Sequence, residues 1–185
     1  MLNREFVLSF RESAPYINAF RDKIFVVAVS GETVMEGDFH SLAQDLNLLV
    51  SLGVRIVLVH GIRPQIEALL KRYGIARLFH RDRRVTDAMT LDIVKQASGA
   101  TRHDIEAKLS MGLPDSPMHG AHIRVSGGNL LTARPLGVLD GIDMQYTGEV
   151  RRIDSEAIHA RLNAGELVLI PPVGYSPTGA AFNRT

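Results

Sequence analysis

The chain has 185 residues, in which 21 lysines and arginines nearly balance 20 acids for a net charge of +1, and it contains no cysteine. That balance offers no field to recruit nucleic acid or a membrane surface, and the absent thiols exclude a disulfide framework and any thiolate metal site. The length suits one domain, no apolar run approaches a bilayer span, and MLNREFVLSF lacks a signal-peptide core, so a soluble cytoplasmic protein is the expectation.

In chain order, Arg4 to Ala14 has helical spacing, with Phe6, Val7, Phe10 and Ala14 on one stripe. Pro15 should end or restart that helix, and Ile17 and Phe20 carry the apolar face into a second short one. An exposed aromatic stripe here reads as a subunit-contact element, with packing against its own domain as the alternative. Residues 1–21 are set apart as an N-terminal helical arm from a domain spanning 22–185.

Ile24 to Val29 reads as an apolar strand, followed by the turn Ser30-Gly31-Glu32-Thr33. Asp38 is placed to cap a helix in which Phe39, Leu42, Leu46, Leu49 and Val50 repeat at helical spacing up to Gly53. Val54 to Val59 is a nearly unbroken β-branched run, which suits a strand buried on both faces. His60 and Gly61 break it, and Pro64 opens the helical pattern PQIEALLKRY, which Gly74 closes. Alternation of strand and helix is the doubly wound signature, and open sheets of that kind bind anions where a strand end meets a helix N-terminus.

Beyond the basic connector His80 to Arg84, Thr86 is a good N-cap for a long helix from Asp87 to about Met111. Gly99 inside it costs roughly 1 kcal/mol relative to alanine and marks a place for a kink. HIRV and LLTA flank Ser126-Gly127-Gly128-Asn129 as a hairpin. A strand at Glu149 to Ile153, an N-cap at Asp154, a helix to Asn163, a stop at Gly165 and a strand at Leu167 to Ile170 read as a further βαβ unit. Phe182-Asn183-Arg184-Thr185 falls in a turn, so the 185 residues read as a piece of a longer protein. The expected class is α/β, a three-layer αβα sandwich on a mainly parallel sheet.

The residues in the turns narrow the chemistry. A phosphate cradle needs glycines for close backbone approach and usually a lysine to neutralise charge. His60-Gly61-Ile62-Arg63 has one glycine, and Ala28-Val29-Ser30-Gly31-Glu32 has no lysine and adds an acid, so neither matches a nucleotide fingerprint. His119 and His122 lack a nearby carboxylate partner and read as solvated or structural, leaving no metal site. Ser30, Ser126 and Ser176 form no nucleophile elbow. Arg84 enters a helix N-terminus, where a guanidinium can clamp a carboxylate bidentately, or else pair with the chain's own acids.

VLVHGIRPQI, RVTDAMTLDIVKQASG, GAHIRVSGGNLLTARPLG, GEVRRID and the terminal FNRT, in that order, resemble the amino acid kinase-like domain of bacterial N-acetylglutamate synthases. The resemblance implies a carbamate kinase-like fold followed, in the family, by a GNAT acetyltransferase domain that these residues do not include. It implies that the full-length protein moves an acetyl group from acetyl-CoA to L-glutamate in the first step of arginine biosynthesis under L-arginine feedback. It further implies a hexamer interlaced through Arg4 to Phe20, and no catalytic residue or cofactor in this segment, acetyl-CoA being co-substrate of the other domain. The rival is N-acetylglutamate kinase, similar to this chain at Gly61, at Arg84 in its R-V-T motif for the substrate carboxylate, and at Asn183 in the motif contacting the acetylated amino acid. That kinase has Lys-x-Gly-Gly after its first strand, where this chain has Ala28 and Ser30, and a glycine triplet where this chain has Gly61-Ile62-Arg63. Gly31, Gly61, Arg63, Arg84 and Asn183 are therefore ligand-binding candidates of a vestigial kinase site, and a non-catalytic amino-acid-binding module is the other alternative.

Overall fold

The computed structural model describes residues 4–35, 39–111 and 119–184. Asp38 and Thr185 lie outside the described residues. The first element, α1 (Arg4–Phe20), is one continuous helix with Pro15 inside it, where the sequence predicts a break. Proline deletes the donor aimed at the carbonyl four residues back, but no residue of α1 is buried, so water can take that carbonyl.

Next come β1 (Ile24–Val29), the short helix α2 (Gly31–Met35), α3 (Phe39–Ser51), β2 (Arg55–His60) and α4 (Arg63–Tyr73). The predicted turn at Ser30 to Thr33 is thus mostly the start of α2, with Ser30 Oγ taking the Thr33 amide at 3.3 Å. Gly74, in the left-handed region at φ 65°, closes α4 as the sequence predicts.

Two short strands follow, β3 (Phe79–His80) and β4 (Arg83–Arg84), and then α5 (Ala88–Ser110). The N-cap of α5 is Asp87, whose carboxylate accepts the Thr90 amide at 2.7 Å, and not Thr86. Thr86 is fully buried and bonded elsewhere, its hydroxyl accepting from Asn183 Nδ2 at 3.0 Å. Gly99 produces no break, because α5 is packed on both sides of it, through Ile93, Val94 and Ala97 before and Ile105 and Leu109 after.

The remaining elements are β5 (Arg124–Ser126), β6 (Leu131–Pro135), β7 (Val138–Leu139), β8 (Ile142–Asp143), β9 (Thr147–Ile153), α6 (Ser155–Asn163), β10 (Glu166–Ile170), β11 (Val173–Tyr175) and β12 (Ala181–Arg184). The central sheet runs β1-β2-β10-β5, all parallel. Ile56 and Leu58 of β2 face α3 and the C-terminal half of α5, while Val57 and Val59 face α6. That alternation puts helices on both faces and gives the expected three layers. At the sheet edge, β1 leaves Val26 70% exposed despite its apolar run.

Three expectations fail in the second half. β5 and β6 are not a hairpin: β5 joins the central sheet beside β10, and β6 pairs with β9 in a separate small sheet. β9 and β10 likewise belong to different sheets, so the segment between them is no βαβ unit. The small sheet closes on itself in the order β11-β12-β9-β6. Local patterning shows where strands lie but not which sheet they join, since both sheets bury an apolar face. The terminal Phe182-Asn183-Arg184 belongs to a strand, β12, and not to a turn.

Candidate functional site

Three C-terminal strand or turn regions converge beside the N-terminus of α4. The β1–α2 junction presses against α4: Gln65 Nε2 donates to Gly31 O at 2.8 Å, and Gly61 N donates to Val29 O at 2.8 Å. A Cβ on Gly31 would stand 2.7 Å from Pro64 Cδ and 3.1 Å from Ile62 Cα, so only glycine fits there. Ile62, where a phosphate loop would carry glycine, is buried and anchors the turn into the cluster with Ile66 and Leu70.

Between these junctions, the β3–β4 hairpin and β12 opens a cavity of about 460 Å³. All five candidate residues, Gly31, Gly61, Arg63, Arg84 and Asn183, line it. Phe79, Pro172 and Arg184 line it too, and sequence reasoning missed them. Phe79 and Pro172 carry no motif, and Arg184 came to notice only as part of a presumed turn.

Arg84 is the best-ordered of the cationic groups by its contacts. Its side chain is 5% exposed, pairs through Nη2 with the Glu67 carboxylate, and stacks over the Phe79 ring at 4.7 Å. Its Nη1 is buried without a partner. The pairing with the chain's own acid is thus realised through Nη2, while Nη1 has no hydrogen-bond partner. Burial alone would raise the Glu67 carboxyl, but the hydrogen bonds and charges of Arg84 and Arg77 outweigh it and hold the group below its ordinary value. Arg63 also approaches the Phe79 ring, 5.6 Å from its centroid.

Asn183 is buried and is held by Thr86, which in turn donates its amide to Thr147 Oγ1 at 3.1 Å. Thr147 Oγ1 donates to Arg84 O at 2.6 Å. A continuous polar chain thus ties β12 to the root of the β3–β4 hairpin and fixes the backbone of Arg84. Arg184 donates through Nη2 to Pro171 O, and its Nε is buried without a partner. Beside it His60 is 2% exposed with Nε2 unpartnered. Burial pushes the imidazole below its ordinary value, the contact to Gly61 O opposes this, and the Arg184 and Arg102 charges add to the lowering.

The cavity can therefore bind an anion through guanidinium edges, with a neutral amide from Asn183 beside it. Among the described residues its lining holds no lysine, and its cations are Arg63, Arg84 and Arg184, facing Glu32 and Asp82. Ala28, at the end of β1, brings no charge. His119 and His122 are both exposed, and no group of three or more His, Asp or Glu able to hold a metal ion occurs among the described residues.

Residues 23–185 match the amino acid kinase family. The chain is 53% identical over 179 residues to an amino-acid acetyltransferase of Ectopseudomonas mendocina, covering 97% of this chain and 41% of that protein. It thus spans about two-fifths of the length of the curated relative it matches. N-acetylglutamate synthase from Neisseria gonorrhoeae, complexed with coenzyme A and N-acetyl-glutamate, is similar in structure with a TM-score of 0.86 at 38% identity, over 97% of this chain and 40% of that one. The same enzyme complexed with coenzyme A and L-arginine gives 0.84 at 38% identity, over 97% of this chain and 42% of that one.

Proposed function

This chain belongs to the amino acid kinase family, and we propose that it is the kinase-like domain of an N-acetylglutamate synthase, regulating and assembling the enzyme without transferring phosphate. In this reading residues 1–21 are an arm and 22–185 the domain proper. The whole protein moves acetyl from acetyl-CoA to L-glutamate in a separate acetyltransferase domain, and L-arginine restrains it.

One observation carries the loss of kinase chemistry: the cationic inventory of the cavity. Phosphoryl transfer needs preorganised cations placed where charge develops on the transferring group. Here Ala28 stands where the related kinases place a lysine, and the buried arginine nearest the turn is already half neutralised by Glu67. What remains suits a stationary carboxylate better than a phosphoryl group in flight. Gly31, Gly61, Arg63, Arg84 and Asn183 are the residues that would line such a ligand. The names of the relatives support the synthase half of the reading, because they are acetyltransferases and not kinases.

The assembly half rests on α1. Phe6 and Phe10 stack at 6.2 Å between centroids, and Phe6, Phe10, Tyr16 and Phe20 are all exposed on a helix with no fully buried residue, Phe20 alone of the four meeting a ring of the sheet, Phe25. Sedimentation velocity of the chain with and without residues 1–21 tests it. A smaller species without the arm is the expected result, and an unchanged sedimentation coefficient per chain refutes the arm's role. Calorimetric titration with Mg-ATP tests the other half: no saturable heat is expected, and a saturable isotherm overturns the loss of the nucleotide site.

A further inference from the structure

We propose that Asp140, which lines no part of the cavity, is a positioning residue for it, acting as a latch on the β3–β4 hairpin. That hairpin brings three groups to the cavity wall, Phe79, Asp82 and Arg84. At its root it is well held, through Thr147 Oγ1 on Arg84 O and Tyr146 N on Thr86 O at 2.9 Å. Its tip is different. Arg81 and Asp82 form a tight turn with φ 47° and 61°, a conformation that costs energy for non-glycine residues, and the turn is exposed.

The tip's side-chain contacts from His80 and Arg81 both run to one carboxylate. Asp140 takes His80 Nε2 at 2.7 Å on Oδ2 and Arg81 in a bidentate fork, Nε at 2.6 Å on Oδ2 and Nη2 at 2.8 Å on Oδ1. Asp140 sits at the apex of the β7–β8 hairpin, itself at φ 50° beside Gly141 at φ 82°. Two independent hairpins are thus joined tip to tip, with each turn in an unfavourable backbone region. Paired left-handed residues are what a two-residue hairpin turn of matching twist requires, and here the turns aim the two tips at each other. A planar fork of this kind is more directional than a lysine pair, so it fixes a position as well as contributing attraction.

The consequence lies just beyond the tip along the hairpin, at Arg84, whose buried guanidinium depends on the hairpin remaining against α4. Release of the tip leaves the Arg84 backbone on Thr147 Oγ1, and its guanidinium held by the Glu67 pair and the Phe79 stacking. Asp140, Arg81 and His80 are partly exposed, so the latch is weakened by salt.

The whole chain tests this without reference to any ligand. Hydrogen exchange of the peptide over residues 78–86 should speed by about threefold or more in Asp140→Ala, the size expected for a partly exposed bidentate pair, while peptides from β2 and β10 stay unchanged. Phenylglyoxal labelling of Arg84 should rise in parallel. The double variant Arg81→Ala with Asp140→Ala should exchange no faster than Asp140→Ala alone, and 1 M NaCl should speed the wild type but not Asp140→Ala. Unchanged exchange at 78–86, equal acceleration throughout the chain, additive effects of the two substitutions, or unchanged Arg84 labelling would each overturn the proposal. None of these outcomes depends on the synthase reading.

Discussion

Replacing Arg84 by methionine isolates what the buried guanidinium contributes. The substitution keeps the length and much of the volume of the side chain but removes the charge. Breaking a buried ion pair costs about 3–5 kcal/mol when the remaining charge has no other partner. Glu67 keeps Arg77 at 2.8 Å and its side chain is 23% exposed, so the loss falls to about 2 kcal/mol. Loss of the stacking on Phe79 adds about 1 kcal/mol. Against this, the variant no longer buries the unpartnered Nη1, a relief of about 1 kcal/mol. The net expectation is a loss of about 2 kcal/mol, or a fall in Tm of about 4–8 °C for a chain of this size. Urea unfolding followed by far-ultraviolet circular dichroism measures it. Combined with Glu67→Gln, the losses should be less than additive by about 1 kcal/mol, because the second substitution removes the charge that the first strands. A loss below about 0.5 kcal/mol, or strict additivity, would refute the reasoning about the pair.

Glu67 also makes stability depend on acid. Its folded value lies below the ordinary 4.5, so its contribution is present in full above that pH and disappears as pH falls through the folded value; Glu67→Gln should flatten this acid limb. His60 acts at higher pH and in the same direction. Its folded value lies below 6.5, so the unfolded chain binds the extra proton and stability falls as pH drops below that value, a slope that His60→Gln should reduce in the same unfolding assay. Gly31→Ala should disturb α2 and the cavity together, since the new methyl would meet the Pro64 ring and the Ile62 backbone, and thermal melting should show a loss of more than about 1 kcal/mol. Asp87→Ala should cost about 1 kcal/mol through the α5 N-cap, whereas Thr86→Ala should instead loosen Asn183, visible as faster exchange in β12.

Much of the fold was legible because its signals are local. The run Arg55 to His60 is apolar on both faces and lies inside the sheet, and Gly74 and Asp154 cap helices where side-chain chemistry alone places them. What was not legible depends on partners distant in the chain. Nothing near Ser126 shows that β5 pairs with β10 and β6 with β9, because either arrangement buries the same alternating residues. Thr86 looks like a cap in isolation, but its hydroxyl is engaged by Thr147 and by Asn183, 97 positions later, and Asp87 caps the helix. The candidate site was legible by residue, and all five candidates share one cavity. Its aromatic wall and its third guanidinium were not, since Phe79 and Arg184 reach the cavity through a hairpin and a strand pairing that no short motif encodes.

The central claim is that a kinase-shaped domain has lost phosphoryl transfer. Incubating the purified chain with ATP, magnesium, radiolabelled N-acetyl-L-glutamate and hydroxylamine, which displaces phosphate from any acyl phosphate formed, and counting the labelled hydroxamate tests this loss. No ATP-dependent product above the enzyme-free background is expected, and multiple turnovers per chain would refute the loss of phosphoryl transfer.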